Sequence, residues 1–171
     1  MKGFNMEYSK FTFFWEHKED AIHPECSQFY KSSFTIDGIE FNCTEQWMHW
    51  KKAIIFGDQE MAQKILKAKS PFDQKKLGRE VSNFNAAIWS SVAFDIVFRG
   101  NIEKFSQNLQ LLERIAKSKG TLLVEAAPND KIWGIGLEAS DPKAMDKTQW
   151  QGQNLLGIIV TRVRDILCVE S

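Results

Sequence analysis

The sequence predicts an α+β fold, mostly α-helical, with several helices around a small β-sheet or hairpin and a single domain over residues 1–171. Three observations carry this expectation. Extended, alternating patterns are confined to the N-terminal third and to one later segment. Apolar spacings of three and four residues fill most of the rest. Helix-starting and helix-ending residues punctuate those stretches at sensible intervals.

Phe11-Thr12-Phe13-Phe14-Trp15 is rich in strand formers and opens the chain as a strand. Residues 33–41 alternate apolar and polar side chains on both sides of Asp37-Gly38. Such a pair tolerates the positive φ of a type I′ turn, so a hairpin is expected. From Thr44 the period becomes helical. Thr44 is the expected cap of a helix with Trp47, Trp50 and Ile54 on one face. After Gly57, Asp58 starts a second helix with Met61, Ala62, Ile65 and Leu66 inward. Ser70-Pro71-x-Asp73 starts a third, with proline and an acid where a first turn favours them. Asn85 opens a fourth carrying Ile88, Trp89, Val92 and Ile96, and Gly100-Asn101 is read as a restart into 102–108. A further helix carries Leu109, Leu112, Ile115 and Ala116, closed by Gly120. Residues 121–126 read as a buried strand, Pro128 to Gly152 as mainly loop, and Asn154 as the cap of a last helix reaching Leu167.

A chain of this length buries roughly 70% of its unfolded surface. Its 43% hydrophobic content supports a real core, and six Trp with thirteen Phe against two Tyr make that core unusually aromatic. Lys plus Arg and Asp plus Glu both number 22, so no global field draws the chain to nucleic acid or anionic lipid. Any polyanion must be held by a few residues in a cleft. Cys26, Cys43 and Cys168 are odd in number and widely spaced, and His17, His23 and His49 form no zinc pattern. No metal and no cofactor is expected, and a reduced compartment fits best. A basic-then-apolar leader and a bilayer-length apolar run are both lacking. A soluble cytoplasmic or nucleocytoplasmic protein with no membrane partner is therefore expected; oligomeric state is not legible.

Several segments hold more polar and aromatic character than a core needs. Glu45 sits in the first turn of its helix, where a carboxylate gains from the macrodipole. Glu125 to Gly136 runs from a strand end into a polar loop with two glycines, a place where side chains are held rigidly and backbone can approach a ligand. Trp150-Gln151-Gly152-Gln153-Asn154 precedes a helix N-terminus, which can offer N–H groups to a phosphate or ribose hydroxyl. Lys75-Lys76-Leu77-Gly78-Arg79 adds cations. Taken alone, these pieces suit a nucleotide or sugar pocket and do not single out a reaction.

In order, the pieces resemble the NADAR (YbiA-like) family. They are Phe13-Phe14-Trp15, Ser27-Gln28-Phe29-Tyr30, Phe34-x-x-Asp37-Gly38, Thr44-Glu45-Gln46-Trp47-Met48 and Lys52-Ala53 with Phe56-Gly57-Asp58. They continue with Lys76-x-Gly78-Arg79, Trp89, Lys104 to Asn108, Leu123 to Ala126 with Pro128-x-Asp130-x-x-Trp133-Gly134-Ile135-Gly136, and Trp150 to Gly157 with Val163-Arg164. Two positions depart from the usual pattern: Gln28 stands where Asn is frequent, and Gln46-Trp47 follow Glu45 where His or Tyr is frequent.

The resemblance implies an N-glycosidase that hydrolyses a ribose C–N bond. Two substrate classes go with it: phosphoribosyl intermediates of riboflavin synthesis, and ADP-ribose attached to a nucleobase, notably guanine in DNA. The expected partner is thus a ribose-phosphate or ADP-ribose-containing substrate, including ADP-ribosylated nucleic acid. Cleaving such a bond passes through an oxocarbenium-like state that two carboxyl groups usually manage. Glu45 and Asp130 are the expected catalytic pair. Trp47 and Trp133 are expected as aromatic walls, Lys52 and Arg79 as phosphate holders, and Asn154 with the Gly152 backbone as hydrogen-bonding groups. Ser27, Gln28, Phe29, Trp89, Asn129 and Gly134 complete the expected substrate-binding set. The alternatives are a non-catalytic module that binds ADP-ribose or a nucleotide, and a purely structural role for the six Trp.

Overall fold

The two extended patterns form two separate ladders. β1 (Phe11–Phe14) pairs in parallel with β4 (Leu122–Glu125), while β2 (Phe34–Ile36) and β3 (Ile39–Phe41) form an antiparallel hairpin. The computed structural model of the chain describes residues 8–169. The hairpin turn follows the sequence reading: Asp37 and Gly38 take φ of 51° and 80°, as a type I′ turn requires. A parallel pair needs a long crossover. Here the crossover contains the hairpin and five helices: α1 (Thr44–Ile55), α2 (Gln59–Lys67), α3 (Pro71–Arg79), α4 (Ala86–Gln107) and α5 (Leu109–Ala116). The last helix, α6 (Leu155–Leu167), follows β4 after a long loop. No described helix is long and apolar enough to cross a membrane.

Most expected helix starts are present, with two changes of mechanism. Asp58 accepts from Met61 N–H, and Asn85 accepts from Ala87 and Ile88 N–H, as N-caps do. Thr44 is instead the first helical residue of α1; Cys43 occupies the cap position, and the Thr44 hydroxyl donates to Gln28 O at 3.3 Å. Asn154 is likewise not a side-chain cap. It sits in a left-handed conformation (φ 54°), and its amide turns back to β4.

Gly100 does not restart the chain. α4 runs unbroken for 22 residues, and a Cβ at position 100 would lie 2.4 Å from Trp47 Cδ1. The glycine therefore lets α4 press directly on the Trp47 ring. That ring is 1% exposed and donates Nε1–H to Ile96 O at 2.7 Å. Phe41 and Trp50 pack around it at centroid distances of 5.3 and 5.9 Å. A larger cluster, including Met48, Val97, Phe105, Leu123, Leu156 and Val163, joins α1, α4, α6 and β4.

Gly100→Ala tests the Trp47 contact. Overpacking at such a site costs about 1–3 kcal/mol. The variant is expected to melt several degrees below wild type with an unchanged denaturant m-value; an unchanged melting temperature refutes the close-packing reading.

Candidate active site

Glu45 is delivered by the start of α1 and is 3% exposed. Its N–H donates to Gln28 O at 3.1 Å, so the Gln28 carbonyl receives both Thr44 and Glu45. The Gln28 side chain then donates Nε2–H to Glu45 Oε2 at 3.4 Å, and His49 Nε2 lies 2.9 Å from Glu45 Oε1, one helical turn on. α3 crosses His49 at Gly78, where any Cβ would fall 1.9 Å from His49 Nδ1. The loop that brings Gln28 is pinned by Lys104, which is fully buried and donates to Glu25 O at 2.6 Å and Ser27 O at 3.1 Å. Burial pushes the Lys104 ammonium down to about 8.

Glu125 stands at the end of β4, opposite Phe14 of β1. The Asn154 amide bridges the strand there, accepting from Glu125 N–H at 2.9 Å and donating to Leu123 O at 3.1 Å. Glu125 Oε2 is buried and has no hydrogen-bond partner. Burial first, then the negative charges of Asp130 and Glu45, raise the Glu125 carboxyl to about 8, with Lys75 offsetting part of the rise. Glu125 is thus the residue that holds a proton near neutral pH. It lies outside the expected site set; a strand-end Glu with an acid five residues on is the signal the sequence carries.

Asp130 folds the loop after β4. Its Oδ1 accepts from Ile132 N–H at 2.9 Å and Trp133 N–H at 2.8 Å, while Oδ2 has no hydrogen bond among the described residues. The structure therefore brings Glu45 and Asp130 into electrostatic reach of Glu125, with Lys75 as the attending cation. Lys75 Nζ also lies 5.3 Å from the centre of the Phe29 ring.

Lys52 and Arg79 form a second cationic point. Lys52 donates to Gly78 O at 2.8 Å and sits 4.3 Å over the Phe84 ring. Burial and the neighbouring Arg79 charge lower its pKa. Neither cation pairs with a carboxylate among the described residues. Two neighbouring cations of this kind are chemically able to accept an anion.

Other expected site residues lie elsewhere or act indirectly. Trp47 is core, not a cleft wall, because its ring is enclosed by Phe41, Trp50 and the α4 backbone. Trp89 is half-buried and packs against three hydrophobic clusters. Asn154 is fully buried, with its amide spent on β4, so it positions Glu125 rather than meeting a ligand. Gly134 and Gly152 serve each other: a Cβ at 152 would be 2.3 Å from Gly134 O. Ser27 is buried, and its Oγ accepts from Phe29 N–H at 3.2 Å. Gln28 and Phe29 do border the carboxyl cluster, Trp133 is half-buried against the main core, and Asn129 is exposed on the same loop as Asp130. His23, Glu25 and Cys26 place donor atoms within 4.8 Å of one another, a grouping the sequence spacing did not suggest. The Glu25 carboxylate is already paired with His23 at 2.7 Å and Arg114 at 3.4 Å, so these residues do not present a free metal set.

Fold and site together define a helix-rich α+β domain carrying a semi-buried cluster of three carboxyl groups. The NADAR domain matches residues 13–168, and the chain belongs to the NADAR family. A protein of Acanthamoeba polyphaga mimivirus named N-glycosidase R617 is 40% identical over 166 residues, covering 94% of this chain and 98% of its own. Escherichia coli N-glycosidase YbiA is 26% identical over 136 residues, covering 80% of this chain and 76% of its own. The YbiA solution structure superposes with a TM-score of 0.76 at 23% identity, over 96% of this chain and 89% of that one. A Vibrio vulnificus protein named as a riboflavin biosynthesis protein is 27% identical over 151 residues, or 88% of this chain; the chain spans only 37% of that relative.

The raised Glu125 carboxyl makes a stability prediction. The folded state holds this proton more tightly than the unfolded chain, so the site costs stability as pH rises from the ordinary carboxylate value through about 8. Glu125→Gln removes that cost. Its melting temperature relative to wild type is expected to rise between about pH 4 and 8 and then level off. A difference independent of pH contradicts the assignment.

Proposed function

We propose that the protein is an N-glycosidase that hydrolyses the bond between C1 of a phosphorylated ribose and a nitrogen. One observation carries the reading: Glu125, with a buried and unpartnered oxygen, sits protonated near neutral pH beside Glu45 and Asp130. A neutral carboxylic acid flanked by two further carboxyls matches what C–N cleavage through a cation-like sugar demands. The names of R617 and YbiA support the same class of reaction.

The steps follow from the groups present. Glu125 gives its proton to the departing nitrogen, which takes the electron pair of the breaking C–N bond. The sugar carbon becomes electron-poor, and Glu45 screens that charge or holds a ribose hydroxyl, kept in place by His49 and Gln28. Asp130, anchored by one oxygen, uses the other to take a proton from the attacking water. The water oxygen bonds to C1, and the released base carries the proton Glu125 supplied. Lys52 and Arg79 hold the phosphate. No step draws on a cofactor.

Two substrate classes fit this geometry, and assays in parallel decide between them. One is a phosphoribosyl intermediate of the riboflavin route, supported by the name of the Vibrio relative. The other is ADP-ribose on guanine in an oligonucleotide. Release of ribose 5-phosphate marks a metabolite-clearing enzyme; release of ADP-ribose marks an eraser of a nucleobase modification. Tight ADP-ribose binding without turnover of either makes the protein a reader and ends the glycosidase proposal.

Glu125→Gln is expected to lose about 10²–10⁴-fold in turnover. Wild-type turnover is expected to fall as pH rises through about 8, where Glu125 loses its proton. A variant as active as wild type removes Glu125 from the proposed role. Lys52→Ala with Arg79→Ala is expected to raise KM for a phosphorylated substrate and to leave its dephosphorylated analogue unaffected. Equal effects on both analogues exclude phosphate contact at this pair.

A further inference from the structure

A second feature adjoins the carboxyl cluster and plays no part in the reaction above. An open groove of about 650 Å³ lies between the segment 17–19, the segment 29–31 and the start of α3. Three aromatic rings stand together in it. The Phe29 and Phe72 rings meet edge to face with centroids 5.0 Å apart, and His17 contacts both, at 5.6 and 5.8 Å. Phe72 is 63% exposed, an unusual position for a ring that fills no core.

Lysines outnumber acids along the groove lining. Lys18, Lys31 and Lys69 line the groove, and none pairs with a carboxylate among the described residues. Glu19, the one acid in the lining, is occupied: Tyr30 Oη donates to it at 2.5 Å and Arg114 Nη1 lies 3.3 Å away. In a chain of zero net charge, this is a local concentration of unmatched positive charge against exposed aromatic faces. The groove is also joined to the reaction site. Phe29 is shared between them, its ring faced by Lys75, whose charge reaches Glu125; its neighbour Gln28 holds Glu45.

We infer that this groove binds a nucleotide adjacent to the target in a single-stranded nucleic acid, with a base stacked on the exposed Phe72 ring and bordered by Phe29, and the backbone phosphates held by Lys18, Lys31 and Lys69. Exposed aromatic faces interleaved with cations are how proteins hold single strands, since every base has a face to stack and every linkage a charge. The openness of the groove favours a strand over a free nucleotide. Pockets for small ligands bury most of the ligand surface, whereas Phe72 remains largely open to solvent. The inference rests on the glycosidase proposal for the reason a strand would come here, but binding is measured without turnover, so the two fail separately.

The test uses the full chain and a fluorescently labelled oligothymidylate, with affinity followed by anisotropy across a salt series. Phe72→Ala is expected to weaken binding about tenfold, and Phe72→Trp to restore it, because stacking and not fold integrity is at stake. Lys18→Ala and Lys69→Ala are each expected to lower the slope of log affinity against log salt by about 0.7, the signature of one lost phosphate contact on a single strand. Turnover of a free phosphoribosyl substrate is expected to be unchanged in all four variants. Failure of wild type to bind the oligomer overturns the inference. So does unchanged affinity in Phe72→Ala, or competition by thymidine 5′-monophosphate as tight as the strand itself. Strand binding in a protein that cleaves no glycoside sinks only the glycosidase proposal.

Discussion

A half-buried carboxyl, Glu125, held within the electrostatic field of two others is the constraint around which this molecule is arranged. Glu45 comes from the start of α1 and Glu125 and Asp130 from the end of β4 and the loop after it, and like charges in a partly buried place repel. The fold answers in three ways. Glu45 is hydrogen-bonded by Gln28 and His49, Asp130 accepts two backbone N–H groups, and Glu125 keeps its proton. The three solutions differ because the environments differ. That difference separates an acid from two groups able to handle a cation and a water.

Holding such a cluster requires stiff support, and the support is mostly backbone and amide chemistry. Asn154 bridges β4 on both sides of Val124 from a left-handed position at the head of α6, so strand and helix fix Glu125 together. Gly157 lets α6 approach this point, since a Cβ there would lie 2.3 Å from Leu123 O. On the other side, Lys104 ties α4 to the carbonyls of Glu25 and Ser27, and the next carbonyl, that of Gln28, receives the start of α1. A buried ammonium with two carbonyl partners is a strong joint, and its lowered pKa shows how far burial strains the charge.

Within a chain of zero net charge, Glu45, Glu125 and Asp130 share one site, while Lys52 with Arg79 and the lysines of the open groove have no carboxylate partner among the described residues. Fields of opposite sign set side by side orient a ligand that is anionic at its phosphates and becomes cationic at one sugar carbon. Net charge alone conceals this arrangement entirely.

The sequence by itself determined the local architecture. The Asp37-Gly38 turn, the Asp58 and Asn85 caps and the helical periods from Thr44 onward are written in neighbouring residues, because turn and cap energetics act over three or four positions. The placement of Glu45 at a helix start and Asp130 on a polar loop was legible for the same reason. What only the tertiary structure decided were relations across the chain. Gly100 reads locally as a break, yet it permits a helix to lie on Trp47; Asn154 reads as a cap, yet it braces a strand. Trp47 reads as a pocket wall, yet it is enclosed from every side. Glu125 became an acid only when folding buried it beside two carboxyls that lie 80 and five positions away, since a pKa is set by burial and by charges near in space, not by neighbours in sequence.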